Sequence, residues 1–214
     1  MRYRAGSLVI LSLALFSIAP RALTAQGRST IGVELGYTRA SFSGRDSREV
    51  TMREGAVAGA YFQVGLTSWL AVRPGIHIAS KGGATTVLPA DSTQPLRFQL
   101  DLVYLDFPVV LRSRIPAIGR TRLILTAGVV PGVRIGCNVE FSQSTTSVRT
   151  KCSDAKGASF PNWDVELLGG AGFGIPIEGS ELALEARFTQ GLRSVSSLGD
   201  IRNRALTFAI SVPF

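Results

Sequence analysis

Apolar residues recur at every second position in eight successive stretches, with glycine, small and charged residues between them, which is the pattern of β-strands with one apolar face. In the first, Ile31, Val33, Leu35 and Tyr37 alternate with Gly32, Glu34, Gly36 and Thr38. The second sets Ala56, Ala58, Ala60, Phe62, Val64 and Leu66 against Val57, Gly59, Tyr61, Gln63 and Gly65. The third has Leu70, Val72, Ile76 and Ile78 opposite Arg73, Gly75 and His77. The fourth opens with Phe98, Leu100, Leu102 and Tyr104 against Gln99 and Asp101, then passes to Leu105, Phe107, Val109 and Leu111. A bulge near Tyr104 and Leu105 would account for that slip of phase.

The fifth stretch runs through Leu123, Leu125, Ala127, Val129, Val133 and Ile135 against Arg122, Thr126, Gly128, Gly132 and Arg134. The sixth places Trp163, Val165, Leu167, Ala171, Phe173 and Ile175 opposite Asp164, Glu166, Gly170, Gly172 and Gly174. The seventh alternates Leu182, Leu184, Ala186 and Phe188 with Glu181, Ala183, Glu185 and Arg187. The eighth carries Leu206, Phe208, Ile210, Val212 and Phe214 against Thr207, Ala209 and Ser211. A strand of about 9–12 residues crosses a bilayer when tilted.

The links alternate in length. Thr67–Trp69, Ser113–Gly119 and Pro176–Ser180 are short, whereas Ser43–Glu54, Ser80–Pro95, Gly136–Asn162 and Gln190–Arg204 are long and polar. Short turns at one end and long loops at the other predict an all-β fold, a single eight-stranded antiparallel up-and-down barrel in the outer membrane of a Gram-negative-type bacterium. A soluble lipocalin-like barrel that binds an apolar ligand shares the period with its faces exchanged. Three features favour the membrane. Charges of both signs and glycine crowd the non-apolar face, Trp69 and Trp163 fall at opposite strand ends as interface aromatics do, and Phe214 closes the last strand.

Ahead of the strands, Arg2 and Arg4 precede the apolar run Leu8 to Ala19, and Leu23-Thr24-Ala25 offers small residues for cleavage. Residues 1–25 therefore read as a secretory signal and residues 26–214 as one barrel domain. The chain's formal charge is +8 over 214 residues, and losing the three arginines of the signal leaves +5. With 18% charged residues and a mean hydropathy of +0.24, the composition excludes a disordered chain. The sequence pI near 10.3 is not accompanied by a nucleic-acid-binding motif. Export makes disulfides stable, so Cys137 and Cys152, the two cysteines of the chain, are expected to be bonded; a metal site would need ligands that their surroundings lack.

At this point the chain resembles the outer-membrane β-barrel families related to PorT-like proteins, often labelled the porin family. The likeness is carried by Tyr104-Leu105-Asp106-Phe107-Pro108-Val109-Val110-Leu111-Arg112, Ala127-Gly128-Val129-Val130-Pro131-Gly132, Gly169-Gly170-Ala171-Gly172-Phe173-Gly174 and Glu185-Ala186-Arg187-Phe188-Thr189-Gln190-Gly191-Leu192. Asp106 stands where the family usually has Glu. The resemblance implies architecture and location, an accessory role in export or surface assembly as one version of its function, and Phe214 as the aromatic ending that barrel-assembly machinery reads. It carries no catalytic residue across.

The expected luminal charge network comprises Glu34, Arg73, His77, Asp101, Arg122, Arg134, Asp164, Glu166, Glu185 and Arg187. An eight-stranded barrel is just wide enough for side chains to fill it, and buried charges must pair. A filled, non-enzymatic barrel acting through its external loops is the expected function; a narrow porin-like channel is the alternative. A lipid-modifying enzyme built on His77 and Asp101 is a lesser reading, because no serine or cysteine stands in a nucleophile context. Gly170, Gly172 and Gly174 are not a phosphate loop, since Ile175-Pro176-Ile177 follows in place of a helix. No cofactor, metal or nucleic acid is expected. The partners expected are outer-membrane lipid and lipopolysaccharide, the assembly machinery and an unidentified protein. Arg39, Arg45, Arg48, Arg53, Arg149, Lys151, Lys156, Arg193, Arg202 and Arg204 lie in or beside the long loops, where they either meet lipid phosphates or are simply solvated at the loop tips.

Overall fold

The computed structural model describes residues 29–45, 50–87, 94–143, 146–154, 160–197 and 199–214. The signal segment 1–25, Arg48 and Lys156 lie outside the described residues. Eleven strands form one antiparallel sheet: β1 (Ser29–Ser43), β2 (Val50–Thr51), β3 (Arg53–Gly65), β4 (Leu70–Val87), β5 (Leu96–Asp106), β6 (Val109–Pro116), β7 (Arg122–Gln143), β8 (Thr146–Lys151), β9 (Trp163–Ile177), β10 (Ser180–Gly191) and β11 (Arg202–Pro213).

The wall is a closed ring. β1 pairs with β3, β3 with β4, β4 with β5 and β6, these two with β7, and the order continues through β9, β10 and β11 back to β1. β5 and β6 are one wall strand interrupted at Phe107 and Pro108, so the ring has eight strands. Pro108 has no N–H for the ladder, yet its carbonyl accepts from the Gly75 amide at 2.9 Å, and Phe107 donates to the Pro131 carbonyl at 2.8 Å. Closure removes free strand edges from the wall.

Side-chain direction settles the faces. Ile31, Val33, Leu35, Ile76, Ile78, Val109, Leu111, Leu167, Phe173, Phe208 and Ile210 are all exposed on the outer surface, while Glu34, Arg73, Lys81, Arg112, Glu166, Glu185 and Arg187 are buried inside. A polar interior inside an apolar belt is a barrel made for lipid, and it excludes the lipocalin-like arrangement. Among the described residues no helix is long and apolar enough to cross a membrane; strands make the crossing.

Two expectations need correction. The slip of phase does not lie in the fourth wall strand: Leu100, Leu102, Tyr104, Asp106, Val110 and Arg112 are all buried, an unbroken period of two. The register shifts between Val103, opposite Gly136, and Tyr104, opposite Arg134, so the extra residue is Ile135 on β7. Beyond this bulge β7 exchanges its faces, turning Cys137 and Val139 inward. Leu100 and Leu102 are apolar and yet luminal because the outer end of the barrel has an apolar filling. The strands are also longer than the alternation implied. β4 runs on to Val87 and β7 to Gln143, and with β2, β5 and β8 they form a sheet that projects beyond the rim. Gly82 sits where β4 enters this extension, at φ +127°, where a side chain would strike the Leu100 carbonyl.

Candidate functional site

Three layers fill the lumen, counted from the short-turn end. In the first, Arg112 on β6 reaches Glu181 on β10 at 3.2 Å and Glu185 at 3.5 Å, and donates to Gln63 on β3 at 3.4 Å. Arg73 on β4 bonds Glu34 on β1 at 3.0 Å and Glu185 at 3.4 Å, with its guanidinium stacked 3.4 Å over the Tyr61 ring. Arg187 on β10 closes the lattice to Glu34 at 2.5 Å and Glu185 at 3.1 Å. Three arginines and three glutamates thus interlock across β1, β4, β6 and β10. Each carboxylate takes guanidinium donors from more than one direction, the arrangement that compensates buried ions.

His77 lies just above, with Nδ1 3.9 Å from Glu34 Oε1 and Nε2 buried without a partner among the described residues. A cavity of about 50 Å³ separates this layer from the next, room for ordered water among polar groups. In the second layer Lys81 on β4 is held between Asp106 on β5, at 2.9 Å, and Glu166 on β9, also at 2.9 Å. Gly132 makes this possible: a Cβ there would lie 2.2 Å from Asp106 Oδ1. Asp164 accepts from Asn203 Nδ2 at 2.7 Å, beside the Tyr104 hydroxyl.

The third layer is apolar. Phe42, Leu100, Leu102, Tyr104, Val139, Cys152 and Val195 form a buried cluster that caps the lumen at the long-loop end. Cys137 and Cys152 are bonded beside it, Cα atoms 5.5 Å apart, closing the projecting β7–β8 hairpin at its base. Phe98 packs edge-on against Phe141 above.

The residues expected in the lumen are thus placed unequally. Glu34, Arg73, His77, Asp164, Glu166, Glu185 and Arg187 lie in the two charged layers. Asp101 does not. It faces away from Leu100 and Leu102, paired with Arg53 at 2.6 Å and Arg149 at 3.1 Å on the outer face of the projecting sheet. His77 therefore stands opposite Asp106, not Asp101, and no His77–Asp101 pair exists. Arg122 is half exposed at the short-turn end, 3.6 Å from Glu181, and Arg134 binds the Phe160 carbonyl and Asn162 near the outer rim. Lys81, Asp106, Arg112 and Glu181 belong to these layers as well, although the expected network did not include them. Parity finds them, because each continues the inward phase of its strand. Lys81 was hidden by a strand end set too early.

Trp69 and Trp163 are exposed at opposite ends of the wall, Trp163 beneath the Arg193 guanidinium at 3.5 Å. In the outer loop before β11, Asp200 pairs with Arg202 at 2.7 Å, and this hydrogen bond holds its carboxyl below the usual range. Phe214 is exposed, its amide bonded to the Ile31 carbonyl. Among the described residues no cluster of His, Cys, Asp and Glu could hold a metal ion.

A family model described as "Outer membrane protein beta-barrel domain" matches residues 22–197. No curated protein matches. Among solved structures the chain is similar to neisserial surface protein A, at 10% identity and a TM-score of 0.49, with 87% of this chain and 99% of that one covered. It is similar to Ail, the attachment invasion locus protein of Yersinia pestis, at 13% and 0.43, covering 87% and 99%. It is also similar to the outer membrane protease OmpT from Escherichia coli, at 10% and 0.40, covering 89% and 96%.

Proposed function

The chain belongs to the outer membrane protein beta-barrel family, and from that premise we propose that it is a closed, non-enzymatic barrel whose functional contacts are made by its outer end. The observation that carries this reading is the filled lumen. Two interlocked charged layers and an apolar cap occupy the cross-section where a channel would need an open path. His77, the one histidine, is enclosed 9% exposed between Glu34 and the cavity, away from any lipid substrate outside the wall.

What remains available is the projecting sheet and the loops around it. These carry the basic residues Arg45, Arg149, Lys151, Arg193 and Arg202 on the long-loop side of the membrane. Their counterparts are the phosphates of lipopolysaccharide and an acidic protein surface, with the assembly machinery engaging the strand that ends in Phe214. The test is conductance. Refolded protein in planar bilayers is expected to give no unitary current steps at neutral pH. Regular steps from the unaltered protein would replace this reading with that of a narrow channel.

A further inference from the structure

Within the first luminal layer the charges balance, three arginines against three glutamates, and two further guanidiniums at the short-turn end are left over. Arg114 follows Arg112 on β6 in the same inward phase, and Arg122 lies diagonally across on β7, opposite Pro116. Arg114 makes no ion pair among the described residues, and its Nε is buried without a hydrogen-bond partner. Arg122 comes no nearer than 3.6 Å to Glu181, a carboxylate already bonded by Arg112 at 3.2 Å. Arg112 is itself buried, and its Nε is also unpartnered. Arg114 stands within electrostatic range of Arg112, Arg122 and Glu181. Beside Gln63, the Arg112 partner on β3, Thr30 at the start of β1 holds a buried hydroxyl that bonds nothing among the described residues. Arg120 and Glu178, both exposed on the turns at this end, offset each other. Three guanidiniums thus stand at increasing depth, with Arg122 half exposed, Arg114 partly buried and Arg112 buried, and two of them lack a carboxylate of their own.

Guanidinium donors without partners inside the wall favour an oxyanion that enters from outside. The wall keeps lipid headgroups away from this mouth, and a lumen just wide enough for side chains admits a slender chain end but no folded surface. Glu181 narrows the choice. It repels a doubly charged phosphate, and it offers an acceptor to an amide N–H, which phosphate lacks. We infer that the short-turn mouth is a binding site for the free C-terminal carboxylate of a peptide on the periplasmic side. The carboxylate oxygens lie between Arg114 and Arg122, and the last amide N–H donates to Glu181. The site is at the end opposite the long loops, so it stands whatever those loops contact.

The test is NMR of the arginine Nε–H signals of isotope-labelled protein refolded in an uncharged detergent. Three probes are titrated separately: acetyl-trialanine, its C-terminal amide, and inorganic phosphate. The peptide acid is expected to move the Arg112 and Arg114 signals along a saturating curve, the amide to leave them in place, and phosphate to bind more weakly than the acid. Arg114→Gln should weaken binding of the acid about tenfold, read at the Arg112 signal, through loss of one hydrogen bond to a charged group. Because Arg114 pairs with no acid inside the barrel, the heat-modifiable gel shift of this variant should persist. No saturable response to the acid, or equal responses to acid and amide, overturns the proposal, and neither comparison needs a variant to fold. Tighter binding of phosphate than of the acid overturns it as well, as does an Arg114→Gln protein that binds the acid unchanged.

Discussion

Glu34 shows most clearly what a single residue does in this lumen. Its two carboxylate oxygens serve Arg73 and Arg187 at once, with all three side chains almost wholly buried. Glu34→Gln keeps the shape and removes the charge, and breaking a buried pair on one side costs about 3–5 kcal/mol. The expected outcome is a lower midpoint for loss of the fast-migrating band in a urea or temperature series. Gly132 is the counterpart among uncharged residues. A methyl group placed 2.2 Å from Asp106 Oδ1 must push that carboxylate off Lys81, so Gly132→Ala should destabilise the barrel. Gly169, whose Cβ would meet nothing within 4 Å, should accept alanine freely. Gel mobility of both variants after the same heating ramp checks the contrast.

At the scale of the element, β7 is the strand on which the outer half of the molecule depends. Its 22 residues are about twice what a tilted crossing needs, and the bulge at Ile135 lets one strand present a polar face inward below and an apolar face inward above. Deleting Ile135 would return β7 to a single phase. Cys137 and Val139 would then point away from the cap, and because Cys137 stands directly across the β7–β8 hairpin from Cys152, the disulfide would leave the cap with them. Proteolysis of the projecting sheet, expected to be faster in the deletion than in the unaltered chain, decides this. Cutting the bond alone, with Cys137→Ser and Cys152→Ser, removes a closure across a separation of 15 residues, worth about 3 kcal/mol in the chain-entropy model. Because the bond closes the β7–β8 hairpin and does not join one wall strand to another, proteolysis of the projecting sheet should accelerate well before the heat-modifiable shift is lost.

For the whole molecule the decisive property is which way the faces turn. Leu35 lies near the middle of β1 and is 65% exposed, a position that makes sense only against lipid. Leu35→Arg is expected to cost about 2–4 kcal/mol, the penalty for a cation on the lipid face near the midplane. Refolding yield into lipid vesicles, compared with the unaltered protein, measures it. In a soluble barrel the same exposed position would tolerate arginine.

The sequence by itself determined the strand count, the alternation of short turns and long loops, and the assignment of the charged phase to the interior. Each depends on local facts: a period of two, turn residues, and the cost of placing charge against lipid. It also made residues such as Glu34, Arg73 and Arg187 legible as luminal, because parity within one strand is a local property. Only the tertiary structure decided who pairs with whom. Arg112 with Glu181, Lys81 between Asp106 and Glu166, and the removal of Asp101 to the outside all depend on cross-strand register and barrel stagger, which alternation leaves free. The bulge shows the same limit. The break in phase was visible at Tyr104, but a register slip belongs to two strands jointly, and the residue that absorbs it, Ile135, lies on the partner. The apolar cap was legible in neither strand alone, since Leu100 and Leu102 read as lipid-facing until Phe42, Val139 and Val195 close over them from elsewhere in the chain.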